Sequence, residues 1–237
     1  MINLQPIEPR AKSDGSALSV HSIFRTLQGE GPFRGHRALF IRLAGCNLAC
    51  PQCDTDYTNG RSELAIANIV KHANLRFPDW LVVITGGEPF RQNIQPLVLS
   101  LLAHGHTVQI ETNGILPIPS PAFAGICSTD TNDKGVCFVV VSPKTNKVHP
   151  SIVKVACAYK YTVKAYDLEA DGIPGSALDN PTCGIIARPP SGIPVYLQPC
   201  DEKDAECNRL NTIAAVQAAM DHGHIFQMQL HKQVGLD

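Results

Sequence analysis

The sequence predicts an α/β fold, a partial and incomplete β/α barrel with a mainly parallel sheet and fewer helices than strands. Three observations lead there. Apolar runs of strand length alternate with segments whose apolar residues recur at helical spacing, the pattern of parallel strands joined by crossovers. Two connections, around residues 115–137 and 163–194, are rich in Gly and Pro and show no helical period, so helices are outnumbered. Each polar motif also follows a predicted strand directly, where parallel β/α architectures gather ligands.

The elements follow in order. Residues 20–24 form a short extended run before the turn-rich Gln28-Gly29-Glu30-Gly31-Pro32. Residues 38–43 read as a strand. A helix is expected from 62 or 63 to 75, because Ile66, Ile69, Val70 and Ala73 share one face. Residues 81–84 form a buried strand ending at Gly86-Gly87. Ile94, Leu97, Val98 and Leu101 repeat the helical face, and Gly105 supplies a stop. Val108 opens a strand ending at Glu111-Thr112-Asn113-Gly114. Residues 136–141 form a strand stopped by Ser142-Pro143-Lys144. Strands at 159–163 and 195–198, a helix at 207–220 and a last strand at 225–230 complete the pattern. The domain spans 20–237, with loop insertions near 117–135 and 171–192. Residues 1–19, polar and containing Pro6, Pro9 and Gly15, read as a flexible lead-in.

Composition narrows the functional classes. The chain has 237 residues, 44% hydrophobic and 17% charged, with a formal net charge of -1, enough apolar material for one substantial core. The neutral balance argues against a nucleic-acid partner, which usually needs a basic surface. No apolar run approaches the roughly 20 residues that cross a bilayer, and the first residues lack the apolar centre of a secretory signal. The expectation is a cytoplasmic protein without a membrane or nucleic-acid partner. Nine cysteines are present. Cys127, Cys137, Cys157, Cys183, Cys200 and Cys207 are dispersed and read as free or buried thiols.

The other three are clustered, in Cys46-Asn47-Leu48-Ala49-Cys50-Pro51-Gln52-Cys53, just after a strand. In a reducing compartment such clusters point to metal or catalysis. Structural zinc takes four ligands, and an electron-transfer cluster takes four cysteines. Three local thiols would leave one iron of a cubane open. From spacing, three readings stand: a cluster with an open site, zinc completed by a distant ligand, or unligated thiols.

The C-x3-C-x2-C loop after a strand resembles the radical S-adenosylmethionine superfamily. Further words resemble the 7-carboxy-7-deazaguanine synthase family within it. They are residues 24–32 (Phe-Arg-Thr-Leu-Gln-Gly-Glu-Gly-Pro), 40–48 (Phe-Ile-Arg-Leu-Ala-Gly-Cys-Asn-Leu), Cys53-Asp54-Thr55, Thr85-Gly86-Gly87-Glu88-Pro89 and Glu111-Thr112-Asn113-Gly114. Val141-Ser142-Pro143-Lys144, Leu197-Gln198-Pro199 and Met228-Gln229-Leu230-His231-Lys232 continue the order, so the resemblance runs from about His21 to the last residue. Single words are weakly specific; their collinear order is strongly so.

The resemblance implies a [4Fe-4S] cluster on Cys46, Cys50 and Cys53 that cleaves S-adenosylmethionine into a radical. Gly86, Gly87 and Glu88 would meet the methionyl ammonium, with Thr112, Ser142, Lys144 and Gln198 completing the cofactor contacts. The substrate would be 6-carboxy-5,6,7,8-tetrahydropterin, contracted to 7-carboxy-7-deazaguanine with loss of ammonia. Gln28, through its backbone, and Glu30 would read the pterin edge, while Arg42 and His231 would hold its carboxylate. The terminal carboxylate of Asp237 would face the substrate, and Thr55 would ligate Mg2+. An electron donor such as flavodoxin or ferredoxin and a homodimer are implied as partners.

Each residue also has a plain structural reading. Gly86-Gly87-Glu88 would be a strand-to-helix turn, Lys144 and His231 surface groups, and Arg42 an ion-paired strand end. Two rivals remain at this level. One is an activating enzyme that makes a glycyl radical on a partner protein, and the other a non-catalytic zinc-stabilised binding module. The segment Gly223-His224-Ile225-Phe226-Gln227 and the ending Gln233-Val234 depart from the family pattern.

Overall fold

Parity along the strands decides which residues meet the helices and which face the barrel's interior. The structure, a computed structural model, describes residues 3–179 and 184–236. Among them are nine strands: β1 (Ala17–Leu27), β2 (Arg37–Leu43), β3 (Ser62–Ala65), β4 (Leu81–Gly86), β5 (Val108–Thr112), β6 (Cys137–Val141), β7 (Ala156–Val163), β8 (Val195–Pro199) and β9 (Ile225–Phe226). Six helices accompany them: α1 (Ile66–Arg76), α2 (Gln95–Ala103), α3 (Pro121–Ala124), α4 (Pro150–Val153), α5 (Ala205–His222) and α6 (Leu230–Gln233). The strands form one sheet in the order β3-β1-β2-β4-β5-β6-β7-β8-β9. β1 runs antiparallel to β2 and β3; every pairing from β2 onward is parallel. The expected open, mainly parallel barrel with fewer helices than strands is what forms.

Successive side chains on a strand point to opposite faces. Leu39, Ile41, Val82, Ile84, Ile110 and Val139 share one face, where they pack in a single cluster with Ile69 and Val70 of α1, Leu97 and Leu101 of α2, and Ala215 and Ala219 of α5. A smaller cluster of Phe33, Ala38, Val83, Phe138, Val140 and Ala158 fills the other face. One or two residues further along the same strands that second face turns polar, with Arg42, Thr85, Glu111, Lys160, Thr162 and Gln198 lining a cavity. The barrel thus has an apolar floor and a charged rim at the C-terminal ends of its strands.

Three elements differ from the sequence reading. Ser62–Ala65 is a strand paired to β1, and α1 starts only at Ile66; the apolar period places the helix but says nothing of an edge strand before it. The expected strand over 225–230 is extended only at Ile225–Phe226. Gln227 N–H still donates to Leu197 O, but Leu230 N–H then donates to Gly29 O, and the chain folds over the cavity. The lead-in also differs: its described residues, from Asn3, hydrogen-bond along the cysteine loop, and β1 begins at Ala17. Within 117–135 only the short α3 forms, and the described residues of 171–192 hold no helix or strand. Among the described residues no helix is long and apolar enough to cross a membrane.

Ile84 is fully buried between the sheet and its helices. Ile84→Ala is expected to lower the unfolding free energy by about 2–5 kcal/mol, read as a lower urea midpoint at unchanged slope.

Candidate active site

A cavity of about 610 Å³ opens at the C-terminal ends of the strands, and Cys46, Cys50 and Cys53 are among the residues that line it. Their loop leaves β2 and folds back against the end of β4, where two glycines admit it. A Cβ on Gly87 would stand 2.0 Å from Gly45 O, and one on Gly86, at φ +122°, would stand 2.2 Å from Leu43 O. Gly87 N–H donates to Leu43 O (3.1 Å) and Glu88 N–H to Gly45 O (3.0 Å). The missing side chains therefore serve backbone-to-backbone contact with the cysteine loop, while both glycines still line the cavity.

Cys46 and Cys50 are buried and Cys53 is half-buried. Burial pushes the Cys46 thiol up to about 12 and raises that of Cys53, so their thiolates need a strong local cation. Lys144 lies close enough to act on Cys53. Among the described residues no three His, Cys, Asp or Glu side chains converge as on a single metal ion. A cubane takes a different iron at each cysteine, a demand that three thiols lining one cavity can meet, whereas structural zinc takes four ligands.

Glu88 departs from the sequence expectation. It is wholly buried and is not among the cavity-lining residues. Its carboxylate accepts from Phe90 N–H (3.0 Å), Asn113 N–H (2.8 Å) and Thr112 Oγ1 (2.8 Å). It therefore ties the end of β4 to the end of β5 from behind the wall, because a buried carboxylate must find donors. Burial pushes its carboxyl up to about 7, against the pull of those three donors. Thr112 reaches the cavity, but its hydroxyl donates to Glu88 and accepts from Gly114 N–H (3.0 Å). Ser142 and Lys144 both line the cavity, with Lys144 Nζ donating to Ser142 Oγ at 2.6 Å. Lys144 is a cavity residue, not a surface one; burial lowers its ammonium below the ordinary lysine value.

Glu30 is the centre of a second cluster. Its carboxylate pairs with Lys160 and accepts from Gln229 Nε2 (2.5 Å) and Gln198 Nε2 (3.2 Å). Lys160 Nζ also lies 3.6 Å from Glu111 Oε2, and Glu111 accepts from Gln28 Nε2 (3.0 Å) and Gln109 Nε2 (2.9 Å). Burial would raise the Glu30 carboxyl, but Lys160 and the donated hydrogen bonds overcome it and hold the group at about 2. Gln198, expected among the cofactor contacts, lines the cavity, where it donates to Glu30 and accepts from Gln227 Nε2 (3.1 Å). Lys160, Glu111 and Gln229 are functional candidates that the sequence reading passed over. A lysine in the otherwise apolar run 156–161 was the available signal.

The remaining predicted residues divide. Arg42 lies over the Phe24 ring (5.1 Å) on the cavity wall, with no ion pair to any described carboxylate, so it is not the ion-paired strand end. His231 lines the cavity mouth, its Nδ1 where a Gly29 Cβ would fall. Burial lowers its pKa, opposed by Glu30. Gln28 lines the cavity, but its backbone N–H donates to His36 O (2.8 Å) and its carbonyl accepts from Gly35 N–H (2.7 Å). Its side chain, not its backbone N–H, is what faces the site. Thr55 sits on the rim, with Oγ1 3.2 Å from Asp54 Oδ1. Asp237 lies outside the described residues.

Similarity to characterised proteins covers nearly the whole chain. It is 36% identical to the 7-carboxy-7-deazaguanine synthase of Rhodospirillum rubrum, over 98% of each chain. It is 35% identical to that of Rickettsia prowazekii, over 100% of this chain and 96% of the relative. The crystal structure of QueE from Escherichia coli superposes with a TM-score of 0.67 at 26% identity, covering 91% of this chain and 95% of that one. No protein-family model matches the chain.

The raised Glu88 carboxyl predicts a pH dependence of stability. Between the ordinary value of 4.5 and about 7 the native state holds a proton that the unfolded state has released. Stability therefore falls as pH rises through that window. Urea titrations at several pH values should show that decline, and Glu88→Gln should flatten it whatever its own offset.

Proposed function

We infer the reaction from the premise that this chain belongs to the 7-carboxy-7-deazaguanine synthase family. It is a radical S-adenosylmethionine lyase that converts 6-carboxy-5,6,7,8-tetrahydropterin to 7-carboxy-7-deazaguanine, with ring contraction and loss of ammonia, in 7-deazapurine and queuosine biosynthesis. The observation that carries this reading onto the molecule is one cavity lined by three thiols together with Glu30, Arg42 and Lys160.

A [4Fe-4S] cluster on Cys46, Cys50 and Cys53 supplies, when bound, the electron that cleaves S-adenosylmethionine and releases a 5′-deoxyadenosyl radical. The chain's task is to bind, orient and keep water out. Lys144, presented by Ser142, suits the methionyl carboxylate as a compact cation. Thr112 and the carbonyls of the Gly86-Gly87 turn suit its ammonium, and Glu88 supports both from behind. Glu30, held ionised by Lys160, offers a pure acceptor to the donor edge of a pterin. Buried pairing of that kind discriminates steeply, since the wrong ligand leaves the site's polar groups unmatched. Arg42 and His231 are the groups for the substrate carboxylate. An arriving anion favours the protonated imidazole, which the empty site disfavours.

Thr55 is the proposed Mg2+ ligand, because that ion favours oxygen donors and keeps water and substrate oxygens in its shell. Flavodoxin or ferredoxin is the proposed electron donor, with a homodimeric assembly in the cytoplasm.

Anaerobic incubation with S-adenosylmethionine, a reductant, Mg2+ and the carboxypterin should yield the deazaguanine by mass analysis. 5′-Deoxyadenosine without that product would remove the substrate assignment. Glu30→Gln is expected to lower kcat/KM for the pterin by about a hundredfold or more, while 5′-deoxyadenosine release continues. Equal loss of both would contradict a substrate-reading role. In Lys160→Met, Glu30 loses the cation that holds its carboxyl low, and that carboxyl rises. Pterin turnover should then acquire an ionisation that increases rate with pH between roughly 5 and 7, and Lys160→Arg should restore the flatter profile.

A further inference from the structure

We propose that residues 3–9 form a strap that presets the cysteine loop for its cluster, with Asn3 and Gln5 as positioning residues; the proposal rests on the cluster reading above. Within residues 44–57 the backbone pairs with itself at Cys53 N–H to Cys50 O (3.1 Å) and Gly45 N–H to Tyr57 O (2.8 Å). Such a loop has little of its own to hold three ligands in register. The strap supplies donors at each part of it. Glu8 N–H donates to Cys46 O (2.7 Å), Asn3 Nδ2 to Cys50 O (3.1 Å), Asn3 N–H to Pro51 O (2.8 Å) and Gln5 Nε2 to Thr55 O (2.9 Å).

Gln5 also works in the opposite sense. Its Oε1 accepts from Tyr57 N–H (2.6 Å) and Thr58 Oγ1 (3.0 Å). Asn3 Oδ1 accepts from Gln5 N–H (3.0 Å) and Gln5 Nε2 (3.1 Å), which locks the two amides together. Further along, Arg91 anchors the strap by donating to Pro9 O (3.0 Å), accepting at its carbonyl from Ala11 N–H (2.7 Å) and pairing with Glu8 (3.3 Å). The same guanidinium donates to Ala44 O (3.1 Å), two residues before Cys46.

Core packing does not account for this arrangement. Leu4 and Ile7, the strap's large apolar residues, are 91% and 64% exposed. The segment is held by polar contacts, and four of its donors go to carbonyls between Cys46 and Thr55. Fixing those carbonyls fixes the backbone from which the thiols project, so thiol spacing is set before any iron arrives.

The test uses full-length wild type, Gln5→Ala, Asn3→Ala and the control Leu4→Ala, reconstituted without oxygen. Iron and sulfide per chain report the cluster reading; the rate of iron loss to a ferrous chelator reports the strap. Gln5→Ala removes four side-chain hydrogen bonds and is expected to lose iron roughly tenfold faster than wild type, or more. Asn3→Ala should show a smaller effect in the same direction, and Leu4→Ala the wild-type rate. In the iron-free chains, alkylation of Cys46, Cys50 and Cys53 should accelerate in Gln5→Ala while that of Cys127 and Cys200 does not. A general loosening would accelerate all five and overturn the proposal, as would wild-type iron loss in both amide variants. If Gln5→Ala does not fold by circular dichroism, Asn3→Ala decides. A wild type that takes up no iron and sulfide defeats the cluster reading and, with it, the strap's role.

Discussion

The alternation of side chains across a parallel sheet is the constraint on which the site depends. With one face sealed by α1, α2 and α5, every second residue of β2 through β8 is committed to the other side. Along that inner face, apolar residues such as Phe138 and Val140 give way toward the strand ends to Glu111, Lys160 and Gln198. Charges so placed must neutralise one another, because burying an unpaired ion is costly. Lys160 between Glu30 and Glu111 is that compensation. It keeps a carboxylate ionised in a recess where burial alone would protonate it.

A second dependence runs through backbone contact. The cysteine loop can approach β4 because Gly86 and Gly87 have no Cβ, and their carbonyl neighbours are Leu43 and Gly45. Glu88 then fastens the following turn to Thr112 and Asn113 of the next strand end. The ends of β2, β4 and β5 thus form one hydrogen-bonded assembly. A buried carboxylate outside the cavity lining fixes the geometry of the wall.

Much of this was legible in the sequence. The apolar runs at 38–43, 81–84 and 136–141 and the helical face of Ile66, Ile69, Val70 and Ala73 pointed to the open β/α barrel, since burial on both faces of a parallel sheet favours continuous apolar strands. The cysteine triplet and the polar words after strands marked the cavity wall. What escaped was whatever depends on partners far apart in the chain. Lys160 sits in a run that reads as an apolar strand, and only the fold brings Glu30 and Glu111 to it. Gln198 is a strand-end amide whose partner, Glu30, lies 168 positions away. The N-terminal strap has no apolar period because hydrogen bonds hold it, so it read as a lead-in. Gly86 and Gly87 read as positions that meet a ligand; what their missing side chains admit here is the chain's own backbone.

The proposed chemistry requires a cubane held by three protein thiolates, with one iron left for S-adenosylmethionine. Electron paramagnetic resonance of the anaerobically reconstituted, dithionite-reduced protein, with and without S-adenosylmethionine, tests it most directly. A reduced [4Fe-4S] signal whose g-values shift when the sulfonium ligand binds is expected. A signal unchanged by saturating S-adenosylmethionine, or protein carrying zinc and no acid-labile sulfide, would contradict it.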